Sequence, residues 1–303
     1  MPRPGPNEVL IRIAASGVNY LDIQYRTGRQ KGPAPPFVLG SEAAGTIEEA
    51  GTGVTDVAAG DRVAYAMILG TYAQYAVVPA ARVVRVPASI ELETAAAAML
   101  QGMTAHYLTH SVYPLGAGDT VLVHAAAGGV GSLIVQAARL RGARVIATVG
   151  SEAKAAIAHA AGASDVIVYT RQDFEAEARR LTNGRGVDVV YDAVGRDTFD
   201  KSLGSLRPRG YLALFGFASG AVPPFDPALL GIKGSLFLTR PGLNQYIATR
   251  EELATRAEAV FGWLASGQLT LRIDRVLPLD EAADAHRALE GRQTMGKILL
   301  RVN

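Results

Sequence analysis

The stretch that most limits what this chain can become runs from Val121 to Gly131. There the apolar Val121, Leu122 and Val123 give way to His124, three alanines, and then Gly128, Gly129 and Gly131. An alanine-rich helical pattern, Ser132 to Arg139, follows at once. An apolar strand that stops in small residues and restarts as a helix builds a cradle for phosphate. Glycine lets backbone approach a pyrophosphate closely, and the helix N-terminus offers unbonded N–H groups and partial positive charge. The spelling is Ala126-x-Gly128-Gly129-x-Gly131. Gly128 and Gly131 keep the later spacing of the dinucleotide fingerprint, and Ala126 takes its first position. Such turns also occur without a ligand, so the surrounding elements decide.

From Thr120 to about Leu238 the chain alternates strands with helices. Strands are expected at Thr120–Ala125, Arg144–Thr148, Asp165–Val168, Val187–Asp192, Gly210–Phe215 and Ser235–Leu238. Helices are expected at Val130–Arg141, Ala153–Ala161, Phe174–Leu181 and Thr198–Leu206. Short apolar strands separated by amphipathic helices imply parallel pairing with right-handed crossovers, an α/β doubly wound sheet with the glycine turn after its first strand. Before Thr94 the texture is different. Short alternating runs at Val9–Ala14, Ala44–Glu49 and Asp61–Ala66, punctuated by Gly51, Gly53 and Gly60, suggest a compact β domain. The tail, with a helical pattern at Asp280–Glu290 and a strand at Ile298–Val302, is too short to stand alone and is expected to return to that N-terminal domain.

At 303 residues about two domains are expected. Apolar residues at 49% and charged residues at 19% exclude a disordered chain. A net charge of +2 with the two signs interspersed argues against nucleic acid and anionic membrane as partners. Thr120–Ala138 is uncharged, but the glycines in its middle and His124, Ser132 and Gln136 fit strand, turn and helix better than a membrane span. The beginning lacks a signal-peptide core, so a cytoplasmic location is the default. There is no cysteine, which rules out disulfides and any thiolate zinc site.

Together these features resemble the medium-chain dehydrogenase/reductase superfamily, and within it the zinc-free, zeta-crystallin-like quinone oxidoreductases. The marks are Gly17-Val-Asn-Tyr-Leu-Asp22, Gly40-Ser-Glu-Ala-Ala-Gly45, Gly60-Asp-Arg-Val63, the Ala125–Gly131 cradle, Tyr191-Asp-Ala-Val-Gly195 and Ser235-Leu-Phe-Leu-Thr-Arg-Pro241. The resemblance spans nearly the whole chain. It implies a Rossmann domain, residues 104–242, and a GroES-like β domain, residues 1–103 and 243–303, closed by the C-terminal tail, with the active site between them. Two departures stand out. The chain begins at what looks like the third strand of the family's first domain, without the opening hairpin. The family's nicotinamide-side tyrosine falls on Gln24, with Tyr25 one place later.

The resemblance also implies NADPH. The second strand ends in Val149-Gly150-Ser151 with no carboxylate for an adenine ribose diol, although Glu152 is close. Lys154 matches a lysine that grips the 2′-phosphate; the alternative is a solvated residue at a helix start. A charged hydrogen bond of that kind is worth roughly 1.5–3 kcal/mol, or about ten- to hundredfold in cofactor preference. The expected contacts are Ala127, Gly128, Gly129, Val130 and Gly131 in the cradle, Ser151 and Lys154 beside it, and Tyr169 against the adenine or as a partly buried anchor. Arg292 is a phosphate contact or an exposed loop residue. Asn19 matches a residue beside the nicotinamide ribose. Thr104 lies near the nicotinamide or is simply a helix-interior threonine, and Phe215 and Phe217 line the groove or pack in the core.

For the chemistry, zinc-dependent relatives carry Gly-His-Glu where this chain has Gly40-Ser41-Glu42. Among the five histidines only His106 and His110 share a helical spacing, and they are expected as a surface pair rather than metal ligands. Without a metal, alcohol oxidation loses its means of removing the hydroxyl proton. Hydride delivery to an electron-poor quinone or α,β-unsaturated carbonyl remains, which asks the protein mainly to bind, orient and exclude water. The proton comes from solvent or from a neighbouring hydroxyl, for which the resemblance to family pocket positions makes Tyr20, Tyr25 and Ser41 the candidates. Asp22 is expected to fix its loop, Glu42 to pair internally, and Asp192 to cap a helix rather than to line the groove. The reading is thus an NADPH-dependent quinone oxidoreductase. An enal or enone reductase, or an NADPH-binding relative without turnover, are the alternatives. The resemblance further implies a homodimer through the edge of the Rossmann sheet at the late strand Ser235–Thr239, which would bury an exposed strand edge; a monomer is the alternative.

Overall fold

The computed structural model describes residues 2–291 and 293–302, and the chain divides into two compact units. The first unit comprises residues 1–103 and 246–303, the second residues 104–245.

The first unit is built on a mixed sheet. Its strands are β1 (Glu8–Val18), β2 (Glu42–Ala50), β3 (Arg62–Ala66), β4 (Tyr75–Pro79) and β5 (Val84–Arg85), with α1 (Tyr20–Arg26) after the first strand and α2 (Leu92–Tyr107) after the last. Val9, Ile11 and Ile13 of β1 recur at the strand period of two. They are buried with Ile47, Val63, Tyr65 and Val78 in the core of the unit.

The second unit begins at β6 (Thr120–Val123). It continues through α3 (Gly129–Leu140), β7 (Arg144–Val149), α4 (Glu152–Ala160), β8 (Asp165–Val168), α5 (Phe174–Leu181), β9 (Val187–Asp192), α6 (Phe199–Ser205), β10 (Leu206–Leu214), α7 (Ala228–Ile232) and β11 (Phe237–Thr239). All six strands are parallel, in the order β11-β10-β9-β6-β7-β8. The chain reverses its direction of travel between β6 and β9. In sheets of this kind that switch point, at the carboxyl ends of the strands, is where ligands bind. Leu122, Ile146, Ile167, Val190 and Leu212 meet Phe174, Phe199 and Leu203 of the covering helices in the core.

The chain then passes through α8 (Leu243–Tyr246) and α9 (Arg250–Ala265) to β12 (Ile273–Pro278), α10 (Ala282–Glu290) and β13 (Lys297–Arg301). The tail does return to the first sheet. β13 runs antiparallel to β1, with Ala15 opposite Arg301 and Val18 opposite Ile298, and Ala285, Ala288, Ile298 and Leu300 bury Val18.

In the second unit β6, β10 and β11 depart from the sequence reading for backbone reasons, while β7 runs one residue further, to Val149. β6 stops at Val123 because Ala125 turns into the left-handed region, at φ 51°. β10 begins four residues early, at Leu206. Pro208 cannot donate to a ladder, and Arg209 is left-handed at φ 58°, so the strand is interrupted between Leu206 and Tyr211 and its first part reads as a turn. It also ends at Leu214, which leaves Phe215 just beyond the strand. β11 starts at Phe237, since Ser235 is left-handed at φ 56°.

Candidate functional site

In the second unit the cradle is made of backbone. Gly128 stands at the N-cap of α3, and its N–H donates to the Ala125 carbonyl at 2.8 Å. Gly131 is needed as glycine: a Cβ there would run into the Ala125 carbonyl and lie 3.0 Å from the Ala126 Cα. The N–H groups of Gly129, Val130 and Gly131 belong to the first turn of a twelve-residue helix. Helix geometry gives them no carbonyl one turn back, so they are free to meet an anion. Ala126 and Ala127 are buried beneath. The residues present therefore fit a pyrophosphate.

Below the cradle lies a buried polar chain. Ser202 Oγ donates to Asp192 Oδ2 at 2.9 Å, so His124 Nε2, 2.9 Å from that Oγ, must be the donor. His124 Nδ1 then accepts from Thr148 Oγ1 at 2.8 Å. Burial pushes the His124 pKa down and keeps the ring neutral. Asp192 also accepts from the Val194 and Gly195 N–H groups at 2.7 and 3.0 Å and from Thr198 Oγ1 at 2.7 Å. The N-cap of α6 is Thr198, so Asp192 is not the helix cap expected of it; it gathers the whole turn that precedes the helix.

At the carboxyl ends of β7 and β8, Ser151 caps α4 by accepting the Lys154 N–H at 3.4 Å. Lys154 is half-buried, and Tyr169 is 46% exposed. The Tyr169 hydroxyl lies over Gly150, where a Cβ would approach it to 2.8 Å. Glu152 pairs with Arg171 at 2.8 Å, so the nearest carboxylate is already matched by a cation. At the end of β10, Phe215 and Phe217 are half-buried. Arg240, just past β11, donates to the Phe215 carbonyl at 3.1 Å and stands over the Phe217 ring at 5.2 Å. Sequence reading missed Arg240; its signal was its place directly after a strand end. Thr104 is buried within α2. Arg292 lies outside the described residues.

The first unit makes its polar centre from side chains. Glu42 is fully buried and ion-paired with Lys297 Nζ. It also accepts from Asn19 Nδ2 at 2.8 Å and from the Leu100 N–H at 2.6 Å. Gly17 must be glycine to make room, since a Cβ would overlap the Glu42 carboxylate. Asn19 also accepts from Lys297 Nζ at 2.8 Å. Asp22, buried at the start of α1, accepts from Ser41 Oγ at 2.6 Å, the Asn19 N–H at 2.8 Å and the Tyr72 hydroxyl at 3.1 Å. Burial pushes its pKa up to about 6. Asp22 therefore fixes its loop, and Glu42 pairs internally, as the sequence suggested. Lys297, Tyr72 and Gln101, which complete the centre, carried no sequence signal.

Of the three candidate proton donors, two have their hydrogens committed elsewhere. Ser41 is 1% exposed and donates to Asp22; Tyr20 donates to the Leu289 carbonyl at 2.8 Å. Tyr25 is half-buried, and both burial and the charge of Asp22 raise its pKa, which keeps the phenol protonated. The expected surface pair of histidines is corrected. His106 is buried and stacks on the half-buried His110 with ring centroids 4.4 Å apart, where the helix passes into a π-helical turn, Leu108–Val112. Among the described residues no helix is long and apolar enough to cross a membrane.

Residues 5–88 match the alcohol dehydrogenase GroES-like domain family and residues 129–252 the zinc-binding dehydrogenase family. The chain is 45% identical to a 2-haloacrylate reductase from a Burkholderia species, over 98% of this chain and 91% of that protein. It is 43% identical to a quinone oxidoreductase from Pseudomonas aeruginosa, over 98% of this chain and 92% of that one. Its fold superposes on the crystal structure of Escherichia coli quinone oxidoreductase complexed with NADPH with a TM-score of 0.97 at 42% identity, over 99% of this chain and 94% of that chain. The chain belongs to the quinone oxidoreductase branch of the medium-chain dehydrogenase/reductase superfamily.

Proposed function

We propose that this oxidoreductase uses NADPH to reduce quinones. The observation that carries the reading is the match over 99% of the chain to an NADPH-bound quinone oxidoreductase. The chain's own rim supports the cofactor: a glycine cradle for the pyrophosphate, Lys154 and Ser151 for the 2′-phosphate, and exposed Tyr169 for the adenine, with Glu152 neutralised by Arg171. Phe215, Phe217 and Thr104 are read as part of the same cofactor surface; Asn19, expected beside the nicotinamide, has its amide committed to Glu42, Gly17, Lys297 and Gln101. NADPH, when bound, supplies a hydride. The protein holds the acceptor and keeps water out, and the reduced oxygen takes a proton from solvent or from Tyr25, whose phenol is held protonated by burial and by Asp22. No base is needed, because the quinone itself spreads the incoming charge onto oxygen.

A second reading, reduction of a carbon–carbon double bond activated by a carbonyl or carboxylate, is favoured by the 45% identity to a 2-haloacrylate reductase. The outer edge of β11 supports a homodimer. Phe237 there is 50% exposed, on an edge strand that a second copy would cover, and Ile232 at the end of α7 is 82% exposed.

NADPH oxidation followed at 340 nm against 1,4-benzoquinone, a naphthoquinone, an enal and 2-chloroacrylate tests both readings, with NADH in parallel. Turnover of quinones with NADPH preferred is expected. Turnover of the enal or the haloacrylate alone replaces the first reading by the second. Lys154→Ala is expected to raise the KM for NADPH about ten- to hundredfold, the worth of one charged hydrogen bond, and to leave NADH kinetics unchanged.

A further inference from the structure

The carboxyl ends of the parallel strands in the second unit lie in a line. The cradle follows β6, at the switch point. Two strands to one side, roughly 10 Å at ordinary sheet spacing, Tyr169 follows β8; two strands to the other side, Phe215 and Phe217 follow β10. A dinucleotide lies across a sheet of this kind with its pyrophosphate at the switch point. With Lys154 and Tyr169 receiving the adenine half, the nicotinamide half extends toward Phe215 and Phe217. The next charged group along that line is Arg240, just past β11.

Arg240 is held in place but not neutralised. Its Nη1 donates to the Phe215 and Pro241 carbonyls at 3.1 and 3.2 Å, and its guanidinium stands over the Phe217 ring. Among the described residues its Nε and Nη2 make no hydrogen bond, and no carboxylate pairs with it. That unused edge of the guanidinium, with Nε–H and Nη2–H side by side, matches the two oxygens of a carboxylate. The residue is exposed, so a ligand can reach it. Resting on the NADPH oxidoreductase reading above, we propose that Arg240 is a specificity residue, its free edge binding the carboxylate of the electron acceptor. The class of substrate is then an acceptor whose reducible double bond carries a carboxylate, on an alkene or on a quinone ring. The backbone carbonyls and the Phe217 ring fix the guanidinium beforehand, so little side-chain freedom is lost on binding.

Each acceptor is tested as the acid and as its methyl ester, which keeps the reducible bond and removes the charge. The pairs are 2-chloroacrylate and 1,4-naphthoquinone-2-carboxylate with their esters, at saturating NADPH. The wild type is expected to have the lower KM for the acid. In Arg240→Gln the acid-to-ester ratio of kcat/KM is expected to fall about ten- to hundredfold, the worth of charge-assisted hydrogen bonds, through KM rather than kcat. Arg240→Lys, which keeps the charge and loses the fork, falls between. 2-Chloropropionate has the carboxylate and nothing to reduce; its Kd for the NADPH complex, read from cofactor fluorescence, rises by the same factor in Arg240→Gln. Equal losses for acid and ester would overturn the assignment, since Arg240 would then only brace Phe215 and Phe217. A weaker NADPH Kd with the acid-to-ester ratio unchanged would also overturn it, because the guanidinium would then serve the cofactor. Turnover of neutral acceptors by a wild type indifferent to the carboxylate defeats this inference and leaves the oxidoreductase reading intact. If no acceptor is turned over, that reading falls, and 2-chloropropionate binding alone decides the role of Arg240. Absence of NADPH binding by the wild type would defeat both.

Discussion

The two units build their polar centres from opposite materials. In the Rossmann unit the cradle is backbone: N–H groups, a left-handed Ala125 and glycines chosen for what they lack, all within eleven residues of sequence. In the β unit the centre is side chains, and its members Asn19, Glu42, Gln101 and Lys297 come from four distant stretches, the first and last 278 residues apart. A backbone site is written locally and fails when a methyl group is added. A side-chain site is written by the fold and fails when a charge is left alone.

The largest break in that comparison is therefore expected at Lys297. Its side chain is 1% exposed against a Glu42 that is fully buried. Removing one partner of a buried pair leaves an uncompensated charge, which typically costs about 3–5 kcal/mol. Lys297→Met should lose that much in urea denaturation, and Glu42→Gln in the same background should recover a large part of it. Additive losses in the double variant would show that the two residues are not coupled as their contact implies.

The Rossmann cradle breaks differently. At Gly131 the added methyl group of alanine meets only backbone, the Ala125 carbonyl and the Ala126 Cα, which can yield only by moving the turn. Gly131→Ala should cost about 1–3 kcal/mol and weaken NADPH binding. Gly128→Ala, whose Cβ would sit 3.1 Å from the Ala125 carbonyl oxygen, should cost clearly less in both. Equal effects at the two glycines would refute the claim that close approach at Gly131 shapes the turn.

The same contrast explains what could be read from the chain alone. The elements Asp165–Val168, Phe174–Leu181 and Val187–Asp192 fall at their expected residues, because periodicity and caps such as Asp173, which accepts the Glu175 and Ala176 N–H groups, act over a few positions. Boundaries slipped where single residues turn left-handed, at Ala125, Arg209 and Ser235, none of which is a glycine. Lys297 reads as a solvent-facing lysine opening a final strand. Only the pairing of β13 with β1 brings it under Asn19, and no local pattern encodes that pairing.

Asp22 sharpens the comparison from the electrostatic side. Unlike Glu42 it has no lysine on it; three neutral donors hold it, and burial raises its pKa to about 6 from an ordinary value of 3.8. Between about pH 4 and pH 6 the folded protein thus keeps a proton that the unfolded chain has released. Stability contributed by this group is present in acid and lost as pH rises through that window. Asp22→Asn removes the titration and turns an amide N–H₂ toward one of the donors. The stability of the wild type relative to the variant should therefore fall from pH 4 to pH 6, by at most about 1.4 kcal/mol per pH unit, and level off above pH 7. A difference that is flat across this range would mean that the hydrogen bonds from Ser41, Asn19 and Tyr72 fully offset burial, and that Asp22 is held as an ordinary carboxylate.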